Sequence, residues 1–168
     1  MFVAELLAIQ CRGRLDRSVV TAAILHDIGK VVLSQYLEAG HYKAALSDTG
    51  NEAVAERVLI DIDHAEVGAM LAGHWRLPSP IVEAIHGHHC LDGGESMMAR
   101  AVHLSDFMAH ALLDDQDTVN EAGQIERAAR TLAQLEVERS KFVERCGRRL
   151  EEAGFTIQPS EALTTLCQ

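Results

Sequence analysis

Apolar residues recur in this chain at three- and four-residue spacing, segment after segment, and no two-residue alternation persists. A chain patterned in this way has one solution open to it, helices packed through their apolar stripes. Aromatic residues make up only 4% of the total while Ala, Leu and Val abound, which leaves little of the ring and branched surface that strands need. The expected class is all-α. Helices are expected over 2–11, 16–28, 31–38, 41–48, 51–59, 64–75, 80–90, 96–113, 121–134 and 138–153, with no internal repeat. Local chemistry fixes several ends. Ser79 is placed to cap a helix with Pro80 at its first position, and Asp63 to cap another with Glu66 three residues on. Gly29, Gly40 and Gly154 fit helix stops.

At 168 residues and 48% apolar, the chain can bury a real core, and a single domain is the default. From 114 to 136 it becomes more charged, so a helical core over 1–113 is expected to carry a C-terminal helical extension over 114–168. Residues 138–153 are amphipathic and are expected to pack on the bundle, with an assembly surface as the alternative reading. The tail after Phe155 has no strong pattern and reads as loosely packed.

Charge excludes some partners. The formal charge of −10 argues against a nucleic-acid backbone, which needs a basic face. Bound divalent cations would offset that charge locally and let a phosphorylated ligand approach. Cys11, Cys90, Cys146 and Cys167 are scattered, with no paired spacing, so a reducing, cytoplasmic setting is expected. No apolar run approaches a membrane span, and a soluble chain without membrane contact is expected.

Against this apolar background stands the stretch AAILHDIGKVVL at 22–33. On a helix His26 shares its stripe with Val19, Ala22 and Ala23, and Asp27 with Val20, Ala23 and Ile24, so both polar groups point inward. His64 heads a stripe of Val67, Gly68, Leu71 and Trp75, while His88 and His89 follow Ile81, Val82 and Ile85. Asp106 is set among Val102, Ala109 and Leu113. A single inward histidine is ordinarily a satisfied core residue. Six inward His and Asp side chains on four helices need a shared source of compensation, because each ionised carboxylate is costly to bury without a partner. A divalent metal supplies it. Mixed imidazole and carboxylate donors suit Mn, Fe, Ni or Zn better than Ca or Mg, and a carboxylate shared between ions allows a two-metal site able to generate a hydroxide for phosphoester hydrolysis. His41, His74, His86, His103 and His110 lack the full combination and read as surface or supporting groups, and Cys90 reads as a free thiol. Lys30, expected just past a helix end, either complements the helix dipole or anchors a phosphate.

The blocks ILHDIGK at 24–30, DHAEVGAMLAGHWRLPSPIVEAIHGHH at 63–89 and VHLSDFMAHAL at 102–112 resemble the HD superfamily, and within it the HDOD branch, the HD-related output domain of bacterial signalling proteins. The resemblance implies an all-helical metal-binding fold with His26, Asp27 and Asp106 as ligands. In the cyclic di-GMP phosphodiesterase branch, the HD-GYP domains, counterparts of His64, His88 and His89 complete the site, and the counterpart of Lys30 contacts substrate phosphate. Two features depart from the enzymes. They carry a further ligand histidine well before the HD pair, and no histidine precedes His26 here, so the site either draws it from upstream or is short of a ligand. The double histidine is followed by CLDGGESMM, with Cys90 in the acidic position and no Tyr-Pro. The expectation is a regulatory or ligand-binding module that partners other signalling domains or proteins, with Asp27 and Lys30 as its chemically active pair. The alternative is a metal-dependent phosphohydrolase acting on a nucleotide or cyclic nucleotide.

Overall fold

The computed structural model describes all residues except 12, 90–95, 114–122, 158–159 and 168. Its described residues form helices and no strands: α1 (Phe2–Gln10), α2 (Val19–Leu25), α3 (Ile28–Leu33), α4 (Ala39–Thr49), α5 (Glu52–Ile60), α6 (His64–His74), α7 (Ser79–Gly87), α8 (Met97–Leu113), α9 (Gln124–Gln134), α10 (Arg139–Glu152) and α11 (Glu161–Cys167).

The long helix α8 is the axis of the bundle. It buries Val102, Leu104, Phe107, Met108 and Leu112 and packs against α1, α2, α7, α9, α10 and α11. Around it Leu7, Val19, Ile85, Leu132, Phe142 and Leu166 join one continuous apolar core. Helices α9–α11 are therefore built into the same core as α1 and α2. Phe142, Cys146 and Leu150 form the inward stripe of α10, the packing role expected for its amphipathic pattern. The reading of the tail as loose is corrected: α11 buries Ala162, Leu163 and Leu166. Its seven residues are too few for periodicity to stand out, and tertiary burial decides the helix.

Glycine chemistry brings a second correction. The break falls at Asp27, between α2 and α3, and not at Gly29. Gly29 lies inside α3 where it crosses α6, and a Cβ there would stand 2.0 Å from the His64 carbonyl oxygen and 2.9 Å from the Gly68 nitrogen. Gly68 faces it across the crossing, with its own Cβ position 3.4 Å from the Gly29 nitrogen. The pair permits backbone contact between two helices. Gly40 sits within the first turn of α4, whereas Gly154 does follow a helix end, with φ of 87°. Asp63 caps α6 by accepting from the Glu66 N–H, while Ser79 is the first residue of α7 and Pro78 its cap.

The α4–α5 hairpin stands apart. No residue of α4 is buried and its packing is against α5; Ala53 and Ala55 of α5 are buried, yet lie outside the main core cluster. Gly50, with φ of 65°, turns the chain between the two helices.

Two substitutions test these statements. Gly29→Ala is expected to cost about 1–3 kcal/mol, because the clash is with backbone and no side chain can yield. Phe142→Ala is expected to cost about 3–5 kcal/mol through the cavity it leaves. Urea unfolding measures both, and an α10 that merely leaned on the bundle would lose less than about 1 kcal/mol on truncation of Phe142.

Candidate metal centre

Helix ends build the cluster. The last carbonyls of a helix lack intrahelical donors, and at two ends here an imidazole supplies one. His26, the C-cap of α2, directs Nδ1 to the Ala23 carbonyl at 3.0 Å, and His88, the C-cap of α7, directs Nδ1 to the Ile85 carbonyl at 2.6 Å. Donation to a carbonyl places a proton on Nδ1 and, in a neutral ring, leaves Nε2 with its lone pair. At the opposite kind of end, His64 is the first residue of α6, and its backbone N–H and Nδ1 both reach Glu56 Oε2, at 2.7 and 2.6 Å. Three histidines thus have Nδ1 tied back and Nε2 directed forward. Such outer hydrogen bonds are those that orient metal-ligating imidazoles.

What they point toward is Asp27, which opens α3. Its Oδ1 lies 3.4 Å from His64 Nε2 and 3.9 Å from His88 Nε2. The other oxygen, Oδ2, lies 3.5 Å from His26 Nε2 and 3.0 Å from Lys30 Nζ. His89 closes the group with Nε2 at 2.7 Å from His64 Nε2. With the His64 proton committed to Glu56, that short contact takes one proton, carried by His89, or a cation in its place. Donor atoms from Asp27, His64, His88 and His89 all fall within 4.8 Å of one another. Asp106, from the middle of α8, stands on the His26 side, its Oδ1 3.4 Å from His26 Nε2 and 3.2 Å from His110 Nε2. The six residues singled out in the sequence therefore meet in one place, as four close donors with His26 and Asp106 beside them.

The electrostatics divide along the same line. Burial pushes the His88 pKa well below the usual imidazole range, reinforced by His89 and His26. Burial, with His64 next, lowers His89 to about 3. Both rings are held neutral. On the other side burial opposes charge on His26 but is outweighed by Asp106 and Asp27, so its pKa is raised. The carboxyl of Asp106 is depressed despite burial by the neighbouring His110 and His26, and that of Asp27, likewise against burial, by His26 and Lys30. The buried Nε2 atoms of His26 and His88 have no hydrogen-bond partner. The unpartnered lone pair of the neutral His88 ring, set among imidazoles and facing an ionised carboxylate, belongs to a donor set that a divalent ion fits.

A cleft of about 660 Å³ opens beside the cluster, lined by Asp27, Lys30, His89 and Asp106, by Lys43, Leu46 and Ser47 from α4, and by Phe107 from α8. Lys30 lies in α3, not past a helix end, and its amine bridges Asp27 Oδ2 and Glu52 Oε2, the latter at 2.6 Å. Burial works against its charge, yet Asp27 and Glu52 raise its pKa. His103 and His110 line the cleft, whereas His41 is exposed and paired with Glu38 at 3.0 Å. Cys90 lies outside the described residues. Glu56 was not legible as a site residue: it sits in AVAERVLI, a segment without a histidine, and only the chain reversal between α5 and α6 brings its carboxylate to His64.

The HDOD domain family matches residues 2–91, and the chain belongs to that family. An uncharacterized protein of Treponema pallidum (strain Nichols) is 37% identical over 71 residues, 40% of this chain and 14% of that protein. The chain thus spans about a seventh of that relative's length. No solved structure matches it. Among the described residues no helix is long and apolar enough to cross a membrane.

The depressed imidazoles give a pH signature in chelated protein. His88 and His89 take up protons near pH 6.5 when unfolded but stay neutral when folded, so the unfolded state binds more protons below that point. Stability is expected to fall by roughly 1–3 kcal/mol per pH unit from pH 6.5 to 5. His26, raised when folded, stabilises below pH 6.5, and its contribution is lost only as pH rises through its folded value. Urea titrations across pH 5–7 measure the slope, and a flat profile contradicts neutral burial of the pair.

Proposed function

We propose that this HDOD domain is a regulatory, ligand-binding signalling module whose His/Asp cluster holds a divalent metal, with Mn, Fe, Ni or Zn favoured by the donor set. The observation that carries the reading is the convergence of Nε2 atoms on Asp27 from histidines whose Nδ1 atoms are already committed. Asp27 presents one oxygen to His64 and His88 and the other to His26, an arrangement suited to a carboxylate shared between two ions. A bound ion would supply Lewis acidity and a binding position for an anionic oxygen beside the cleft. Lys30 and Lys43 add positive charge there, Ser47 a hydroxyl, and Phe107 an apolar face. The cleft volume lies in the range of small-molecule sites, about 300–1,000 Å³. A phosphorylated small molecule or nucleotide meets these requirements, and other signalling domains or proteins would read the liganded state.

The second reading, a metal-dependent phosphohydrolase, draws on Lys30, which lines the cleft with its amine beside Asp27 and could steady a phosphate.

Elemental analysis and calorimetry with Mn²⁺ test the metal. The native chain is expected to bind at least one ion, and Asp27→Asn to weaken binding by at least roughly tenfold; equal metal content in both proteins removes Asp27 from the centre and ends the proposal. Hydrolysis of bis(p-nitrophenyl) phosphate or cyclic dinucleotides by the Mn²⁺-loaded protein, lost in Lys30→Met, would move the chain to the second reading. The expected result is ligand binding without turnover.

A further inference from the structure

The α4–α5 hairpin is joined to the rest of the domain through polar contacts, and these run to the cluster. Its apolar contribution is small: α4 buries nothing, and Ala53 and Ala55 lie outside the main core. On α5, Glu52 and Glu56 occupy positions i and i+4 of one helix face. Glu52 reaches Lys30, which in turn touches Asp27, and Glu56 reaches both the backbone and the ring of His64. Arg57 adds a contact at 2.8 Å to Asp63, the cap of α6. Glu56 itself is buried at 2% exposure, so its hydrogen bonds to His64 must compensate the loss of water. From the far side of the hairpin, Lys43, Leu46 and Ser47 form one wall of the cleft.

We infer that metal loading of the cluster braces the α4–α5 hairpin through the Glu56–His64 pair, so that the cleft wall carried by α4 is held more firmly when the ion is bound. This rests on the proposed metal centre. Coordination at His64 Nε2 withdraws electron density from the ring and makes Nδ1–H a stronger donor to Glu56. Without the ion, His64 Nε2 has only the His89 ring, at 2.7 Å, and the Asp27 carboxylate before it, and Asp27 leans on Lys30 and His26. Because little apolar burial holds the hairpin, its few charged contacts to α3 and α6 carry much of what holds it down, and a change in the Glu56–His64 pair is felt there. The domain then has a built-in readout: occupancy of a buried centre becomes a change in the opening of a surface element and of the cleft it walls.

Amide hydrogen exchange on the full chain, chelated or saturated with Mn²⁺ and with bound metal measured on the same samples, tests the inference. Mn²⁺ is expected to slow exchange across residues 39–60 on the order of fivefold or more, while the core amides of 97–113 change less. Glu56→Gln, studied at Mn²⁺ saturation, is expected to retain the ion and lose the slowing. The inference is overturned if the native protein binds Mn²⁺ with unchanged exchange in 39–60, or if Glu56→Gln shows the same slowing as the native chain. Absence of bound Mn²⁺ in the native protein overturns the metal centre itself, and this inference with it. The native comparison decides the question even where Glu56→Gln does not fold.

Discussion

The backbone approach of α3 to α6 at Gly29 and Gly68 is the constraint on which the rest depends. Side chains ordinarily hold packed helices about 8–10 Å apart. Here the missing Cβ at Gly29 lets the chain just after Asp27 lie against the carbonyl of His64. That proximity sets Asp27 Oδ1 within 3.4 Å of the His64 ring. Any side chain at Gly29 would separate the two helix starts and open the cluster. The glycine therefore serves the site through sterics, while contributing no chemistry of its own.

Once the helix ends are so placed, the imidazoles have little orientational freedom. A helix terminus has carbonyl or N–H groups in need of partners, and each of His26, His64 and His88 meets that need with one ring edge or through a shared acceptor. Satisfying the backbone and aiming the lone pairs are one event. The same arrangement explains why burial can hold His88 and His89 neutral while two carboxylates nearby remain ionised: their countercharge comes from His26 and Lys30, on the other side of Asp27. The family match supports a signalling-associated HD-related domain, and the donor geometry is what gives that assignment a chemical content.

The helical class and the inward stripes were legible because periodicity over ten or more residues reports burial directly, as for α8 and α10. The role of Gly29 was misread because a glycine after an apolar run has the same local appearance as a helix stop; the neighbour that requires it lies 35 residues away. Glu56 was missed for a similar reason, since a glutamate on a charged-looking helix gives no local sign of a buried partner. Lys30 stands out in the sequence, but its bridge between Asp27 and Glu52 depends on the position of α5. Short α11 lacked enough turns to declare itself. Pattern reveals which faces are buried; it is weaker on which buried faces meet.

The way α8 threads the bundle has a consequence for where this unit of structure can be cut. The family match ends at residue 91, before α8 begins, yet Ala4, Leu7, Val19 and Ile85 share their core with Val102, Met108, Leu132 and Leu166. A fragment bounded by the match would leave that apolar surface facing water and would lose Asp106 as well. The segment that can be moved between proteins as a self-sufficient piece is thus larger than the segment recognised by its motifs, and runs at least through α11.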